Sequence, residues 1–559
     1  MFEIDIDEDF NPDYKERDCL AGLVEFTQKC RPGRDRVAAL FGLRRTGKTV
    51  LMKQLGHKFG KERTKMYGCQ ATDNLAALCE QMEKDRASGV KLFLLDEITN
   101  LPDFIDFSAR LSDQMAGKNI NIILSGTDSF GIEMSSHRQL YDRIDLFKTT
   151  HIPFPEHKRI MGSGDIDEYF KYGGLLKDPQ SAYFVKNKLD SEEYIGTAVA
   201  DNIANTLAKT AHTDEYAELA SCTSRDLKKA ISKLVEKYCG KILKKIIQNP
   251  IINTSLNQAI EKSADKWGSH EYEAVIRNKP ALNEDFAKKL QVNEPHPAPV
   301  TDEFINQLKD CLTKTGFFGV IPSFTLRESD GAWRKSLDDM VHIVQPALKY
   351  SHLQAGAIEL LENDNLNALS KHERRSLAEK FTQLVLGEMA EVSVLYDTKT
   401  YLSGSGFHAG KIKFYPEVSP EGEFDMIVWG EASYYAFEIK HSTEALPELQ
   451  AKHLSNSEFQ RAASHYFGQQ IAQAVLYSGE TKAVGRDVLY INIEDFLGCL
   501  DRYRDISLAM SKLQEMGNSE QATLDTVARV DDPDAPGTVR GAGRSVVPQK
   551  RGKGGGAEI

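Results

Sequence analysis

The sequence predicts an α/β protein with a parallel sheet at its amino end, a mostly helical middle, a small α/β unit toward the carboxyl end and a disordered tail. Three observations carry that expectation. Gly42 to Thr49 reads Gly-Leu-Arg-Arg-Thr-Gly-Lys-Thr, the G-x-x-x-x-G-K-[ST] spacing of a phosphate-binding loop, set between an apolar run and a helical pattern. Lys91 to Ile98 is a continuous apolar run with two acids near its end, as a buried parallel strand would be. Phe424 to Lys440 holds two β-rich runs around a short polar break, the pattern of a hairpin.

At 559 residues the chain is too long for one ordinary core, so about two to four domains are expected. Hydrophobic residues at 41% and charged residues at 27% match a globular composition, and no apolar run is long enough to cross a bilayer. Met1 to Phe10 is acidic and unlike a secretory leader, so the expected location is the cytoplasm, with no membrane partner. The eight cysteines include no C-x-x-C pair, which points away from a zinc site or a disulfide framework. A net charge of -12 argues against a broadly basic surface and leaves room only for a local basic groove.

Taken in order, residues 1 to about 35 are an acidic lead-in followed by a helix-like pattern from Leu20 to Phe26, with nothing catalytic visible. Arg36 to Phe41 reads as a buried strand and Val50 to Leu55 as a helix with one apolar side. A Gly-bounded turn between them aims backbone N–H groups and the helix N-terminus at one spot, where Lys48 adds a full charge. An anionic di- or triphosphate fits there. Gly42, Arg45, Thr46, Gly47, Lys48, Thr49 and Val50 are the expected nucleotide contacts, with ATP and Mg²⁺ as the cofactors.

Asp96 and Glu97 emerge at the carboxyl end of the second strand, where open α/β sheets place ligand groups. Asp96, with Thr49, is expected to hold Mg²⁺, and Glu97 to orient the attacking water. A third strand, Asn119 to Leu124, delivers Ser125 and Thr127 to the same end, and either would sense the terminal phosphate. Arg143, in the following polar loop, is the expected arginine finger.

Gly-Leu-Arg-Arg-Thr-Gly-Lys-Thr, Leu-Leu-Asp-Glu-Ile and Leu-Ser-Gly-Thr-Asp-Ser together resemble a prokaryotic group of AAA-like P-loop ATPases. His151-Ile-Pro-Phe-Pro-Glu156 and Tyr169-Phe-Lys-Tyr-Gly-Gly-Leu175 resemble that group's passage into a helical lid. One departure is Asp142 before Arg143, where the family usually has glycine. The resemblance implies a winged-helix-like segment and then a domain similar to PD-(D/E)xK nucleases, with a restriction-endonuclease-like fold. It divides the chain into an ATPase domain at 1–170, a helical lid and winged-helix-like region at 171–345, a nuclease-like domain at 346–505 and a disordered tail at 517–559.

In the middle region a helix starting at Thr223 places Leu227, Ile231, Leu234 and Tyr238 on one face and lysines from Lys228 to Lys245 on the other, where they face solvent or phosphates. Asp302 to Lys314 is a second amphipathic helix, with Phe304, Ile305, Leu308 and Leu312 buried and Gly316 ending it, before a strand at Phe317 to Ile321. Glu294 to Pro299 reads as a stiff connector within an insertion around 250 to 300.

Further on, Gly387 to Glu391 lies in a helical pattern, and a hairpin register with a four-residue loop sets Asp425 opposite Glu438. Facing carboxylates need a cation or a proton between them. Alternation puts Glu438 and Lys440 on one face and Tyr435, Phe437 and Ile439 on the other. Asp425, Glu438 and Lys440 are the expected residues of metal-assisted phosphodiester hydrolysis, with Glu391 completing the Mg²⁺ shell. The PD-(D/E)xK motif lands on the same four positions. Residues 458 to 478 read as a helix and Asp487 to Ile493 as a last strand.

Three functions follow. One is an ATP hydrolase whose nucleotide state moves the C-terminal domain. Another is an ATP-regulated, Mg²⁺-dependent nuclease acting on DNA or RNA. The last is a non-hydrolytic switch that binds nucleic acid or a partner protein. A homo-oligomer is compatible with each of them.

Overall fold

The structure, a computed structural model, describes residues 1–29, 36–162, 164–176, 184–210, 213–247, 249, 254, 301–362, 370–484 and 488–531. Its amino-terminal sheet comprises β1 (Phe2–Ile4), β2 (Val37–Phe41), β3 (Thr64–Gly68), β4 (Leu92–Asp96), β5 (Asn121–Gly126) and β6 (Ile144–Lys148), in the order β1-β3-β4-β5-β2-β6. All neighbours run parallel except β1, which pairs antiparallel with β3 at the edge. Every residue of β2 and β4 is buried, as strands covered on both faces must be. Ala38 and Leu40, with Leu92 and Leu94, pack under the helices Cys19–Gln28 and Lys48–Phe59. Val37, Ala39, Phe41, Phe93 and Leu95 face the larger core on the other side. Fully burying each large apolar side chain stabilises by about 1.5–3 kcal/mol.

Between the two sheets the described residues up to Lys314 are mostly helical. Ser224–Ile247 buries Leu227, Ile231 and Leu234, while Tyr238 is half-buried with its ring edge-on to Phe318 at 5.3 Å. Asp302–Lys314 is capped by the Thr301 hydroxyl, which accepts from the Phe304 amide. Phe304, Leu308 and Leu312 are buried and Ile305 only half-buried. Gly316 follows at φ +82, where an added Cβ would lie 2.4 Å from Lys148 Cε. The connector at Glu294 to Pro299 lies outside the described residues, as does nearly all of the insertion around it.

The second sheet comprises β7 (Phe318–Ser329), β8 (Ala332–Ile343), β9 (His408–Tyr415), β10 (Gly422–Trp429), β11 (Ser433–Lys440), β12 (Gln469–Tyr477), β13 (Lys482–Val484) and β14 (Val488–Asn492). Their order is β13-β14-β12-β11-β10-β9-β7-β8. The long helix Lys371–Tyr401 packs on one face with Leu386, Met389, Ala390 and Val394. It begins with a capping box in which Ser370 and Glu373 satisfy each other's backbone amides.

Three expectations are corrected here. The strand after Asp302–Lys314 does not form a separate winged-helix-like unit ending at 345, because β7 pairs in parallel with β9 and the β7–β8 hairpin extends the C-terminal sheet. Phe324 and Leu326 bury against Ile412 and Phe414, so the apolar face of β7 is completed only there. The helix read over 458–478 stops at Phe467. Gly468 takes φ +87, and an added Cβ would lie 2.1 Å from the Ala432 carbonyl oxygen, so the chain turns there and continues as β12 between β11 and β14. Finally, the helix Ile506–Asp531 occupies the start of the segment expected as a disordered tail; 532–559 lie outside the described residues. Among the described residues no helix is long and apolar enough to cross a membrane.

Candidate nucleotide site and carboxylate cluster

β2 ends at Phe41 and the helix Lys48–Phe59 begins after Gly47, so the loop between them crosses the carboxyl edge of the parallel sheet. Its backbone needs its glycines. Gly42 lies against the end of β6, where an added Cβ would be 2.4 Å from Thr149 Oγ1, and Gly47 takes φ +85. Arg45 takes φ +64, a conformation that side chains other than glycine adopt uncommonly.

Lys48 is 6% exposed and donates to the carbonyl oxygens of Gly42 at 2.8 Å and Leu43 at 2.9 Å. Burial pulls its ammonium down to about 8, opposed by the nearby charges of Glu97 and Asp96. An ammonium held by neutral carbonyls in so dry a place gains when an anion arrives. Thr49 Oγ1 donates to Asp96 Oδ2 at 3.0 Å, so a hydroxyl and a carboxylate suited to share one hard cation already sit together. Glu97, in a left-handed backbone conformation, accepts from the Thr127 amide at 3.1 Å and hydroxyl at 2.9 Å. Asn202, on the helix Asp201–Lys209, donates to the Thr127 carbonyl at 3.0 Å.

Lys48, Thr49, Asp96, Glu97 and Thr127 therefore meet at one edge of the sheet, with Arg45, Thr46 and Val50 on the same loop and helix start. Ser125 stays in β5 with its hydroxyl buried and without a hydrogen-bond partner. Arg143 is a correction. It precedes β6 beside the start of β2, its carbonyl accepting from the Val37 amide, and so lies at the amino edge, roughly 13–16 Å of strand from the loop. Its guanidinium pairs with Asp113 at 2.5 Å, so it does not reach this chain's own phosphate loop.

The arginine that does reach the loop is Arg17, which sequence reasoning missed. It is 6% exposed and donates to the Thr46 carbonyl at 2.5 Å, the His151 carbonyl at 3.1 Å and Glu156 at 2.6 Å. No local signal marks it, because its partners lie 29 to 139 residues away.

In the C-terminal sheet, β10 pairs Met426 with Phe437 and Ile427 with Ala436, and one further step on that register sets Asp425 opposite Glu438, as expected. Phe437 and Ile439 join the core under the long helix, leaving Glu438 and Lys440 on the other face. Lys440 Nζ lies 2.8 Å from Asp425 Oδ2 and 2.6 Å from Glu438 Oε2. The Ile439 amide also donates to Asp425 at 2.9 Å. Glu391 arrives from the long helix.

Two further members were missed. Lys411 on β9, 9% exposed, lies 3.2 Å from both Glu391 and Glu423 and 3.9 Å from Asp425. Glu423 joins Glu391 and Asp425 as a set whose ligand oxygens fall within 4.8 Å of one another. Alternation along Glu423-Phe-Asp425 was the available signal for Glu423; none marks Lys411. His453 completes the rim, 3.4 Å from Glu438 Oε1.

The electrostatics follow from burial. Burial raises Asp425, but Lys440 and Lys411 outweigh it and hold the carboxyl well below its usual range. Burial, and then the Asp425 charge, push Glu391 and Glu438 up. Repulsion between the facing acids is thus relieved by two ammonium groups, and a divalent ion is not required for it. The all-oxygen set of Glu391, Glu423 and Asp425 still suits a hard divalent cation such as Mg²⁺, whereas Glu438, expected among the ligands, stands outside that set.

Residues 34–157 match the family model described as an AAA domain. The match supports an AAA-like P-loop ATPase domain over that segment, and with it a nucleotide-binding role. No curated protein matches the chain. The crystal structure of protein VC1899 from Vibrio cholerae is 9% identical over 77% of this chain and 92% of that one, with a TM-score of 0.16, too loose a superposition to carry over a fold.

Proposed function

We propose that the chain hydrolyses ATP to switch the state of its C-terminal nuclease-like domain. In this reading Gly42, Arg45, Thr46, Gly47, Lys48 and Val50 hold the phosphates, and Thr49 with Asp96 holds Mg²⁺, which neutralises charge on the leaving phosphates. Glu97 positions the attacking water, steadied by Thr127. The observation that carries the coupling is one connected path. Arg17 joins the Thr46 carbonyl to Glu156, on the helix Phe154–Met161. Asp397 of the long helix accepts from the Phe154 amide at 2.9 Å and contacts His151 at 2.8 Å. Glu494 accepts from Lys158 at 2.7 Å and from the Ile166 amide at 3.0 Å. A shift of the loop on nucleotide binding therefore pulls on groups bonded to the long helix and to the helix Ile493–Tyr503, which carries Glu494.

ATP turnover by the full chain and by Glu97→Gln, with and without duplex DNA, single-stranded DNA and RNA, tests this. Turnover should fall by about 10²–10⁴ in Glu97→Gln. Equal turnover by the two proteins would refute the assignment.

A second reading, a Mg²⁺-dependent nuclease, is supported by Lys440 standing between Asp425 and Glu438. Asp425→Asn should abolish metal-dependent cleavage; cleavage that persists unchanged would point to a contaminant, and no cleavage by the wild type would leave the third reading, a binding switch for nucleic acid or a partner protein. The division into an ATPase unit and a nuclease-like unit, with the β7–β8 hairpin reassigned to the latter, belongs to the same proposal.

A further inference from the structure

The lysines of the helix Ser224–Ile247 serve neither the phosphate loop nor, except at one end, the carboxylate cluster. We propose that its row of basic side chains is a track for the backbone of duplex DNA, running toward the cluster at Glu391 and Asp425. The inference rests on the nuclease-like reading for the destination of the track, and not for binding along it.

Arg225, Lys229, Lys233, Lys237, Lys241 and Lys245 recur at every fourth residue. The row precedes by two residues a buried row of Leu227, Ile231, Val235, Cys239 and Leu243. Two residues are about 200° around a helix, so the basic row faces away from the core along its whole length. Five of the six are exposed and Lys233 is half-buried.

Among the described residues the acids of the helix make no ion pair with the row, although Asp226 lies near enough to feel the charges of Lys229 and Arg225. Asp226 accepts from the Thr223 hydroxyl at 2.6 Å, and Glu236 pairs with Lys188 at 2.6 Å. Of the six, only Lys245 has a carboxylate partner among the described residues, Glu388 at 2.5 Å. Glu388 lies one turn before Glu391, and the charge of Lys245 acts on Glu391 itself. The row thus ends where the carboxylates and Lys411 begin.

Six cations over about 30 Å of helix face a duplex strand that offers a phosphate every ~3.4 Å. Single strands are gripped through aromatic stacking, and this row has no aromatic side chain. Tyr238, the only ring on the helix, turns toward Phe318. A stiff, sequence-independent backbone contact is what remains.

The test is fluorescence anisotropy of the full chain with a labelled duplex longer than the row, in EDTA, across a salt series. The variant carries Lys229→Gln, Lys233→Gln, Lys237→Gln and Lys241→Gln; a control of equal charge change carries Lys58→Gln, Lys61→Gln, Lys65→Gln and Lys118→Gln. Four lost phosphate contacts should make the log–log salt slope shallower by about 3–4 and weaken binding at least about tenfold at moderate salt, with the control unaffected. The proposal is overturned if the wild type does not bind the duplex, if single-stranded DNA or RNA binds more tightly, if the variant keeps its slope, or if the control loses as much. Should the fourfold variant fail to fold, Lys233→Gln and Lys237→Gln singly should each lower the slope by about 1, and an unchanged slope in both overturns the proposal. Because EDTA removes cleavage from the readout, an inactive nuclease and an unbound track give different results.

Discussion

Replacing Lys48 with methionine should stabilise the protein without nucleotide and abolish its response to nucleotide. Burial holds the ammonium at about 8 against 10.5 in an exposed lysine, a penalty of about 3 kcal/mol when both states are protonated. Methionine removes that penalty but orphans the Gly42 carbonyl, which costs about 1–3 kcal/mol. A net gain of about 1 kcal/mol remains, or about 2–4 °C in Tm for a domain of this size.

The sign with pH is fixed by linkage. Below the folded value both states carry the proton and the wild-type penalty is full. Between the folded and unfolded values the unfolded chain binds more protons, so wild-type stability rises with pH relative to the variant. The variant's advantage should shrink by about 2 kcal/mol between pH 7 and about pH 10, and its sign should reverse. ATP with Mg²⁺ at a hundredfold excess over Kd should stabilise the wild type by about 2.7 kcal/mol and leave the variant unmoved. Paired thermal scans at the two pH values, with and without ATP and Mg²⁺, measure all three quantities. A variant less stable than wild type at pH 7, or a wild type indifferent to ATP, would refute the account of a dry ammonium awaiting a phosphate.

Arg17→Ala leaves Glu156 buried without its partner and should lower stability by about 3–5 kcal/mol, read by denaturant unfolding; a change under about 1 kcal/mol would mean the pair is not dry. Lys411→Gln removes the ammonium in contact with Glu391, Glu423 and Asp425, so calorimetric Mn²⁺ affinity should rise by about tenfold, one ion-pair's worth of competition. A weaker Mn²⁺ response would show that Lys411 does not compete with the ion. Arg143→Ala should leave turnover of the isolated chain within about twofold, since losing its exposed pair with Asp113 is worth little. A large loss would place this arginine on the phosphate of a second copy of the chain.

What the sequence determined by itself is what neighbours along the chain can write. The phosphate loop is a continuous run whose glycines and lysine are each needed for one turn. The hairpin that faces Asp425 to Glu438 is likewise local, set by loop length and alternation. Acids at the end of a buried strand also announce themselves, because strand order matters little to which end of β4 they leave. Tertiary structure alone decided the rest. Arg143 and the loop are joined by β6 and β2, and only their parallel pairing reveals that the arginine stands at the wrong edge. Arg17 and Lys411 act through partners distant in sequence, and nothing local distinguishes them from solvated cations. The strand β12 was hidden because Ala, Val, Leu and Tyr suit a helix or a buried strand equally well. Gly468, pressed against the Ala432 carbonyl, decides between them only once β11 is in place. A side chain's chemistry is written in its own residue, whereas the company it keeps depends on which strands lie side by side.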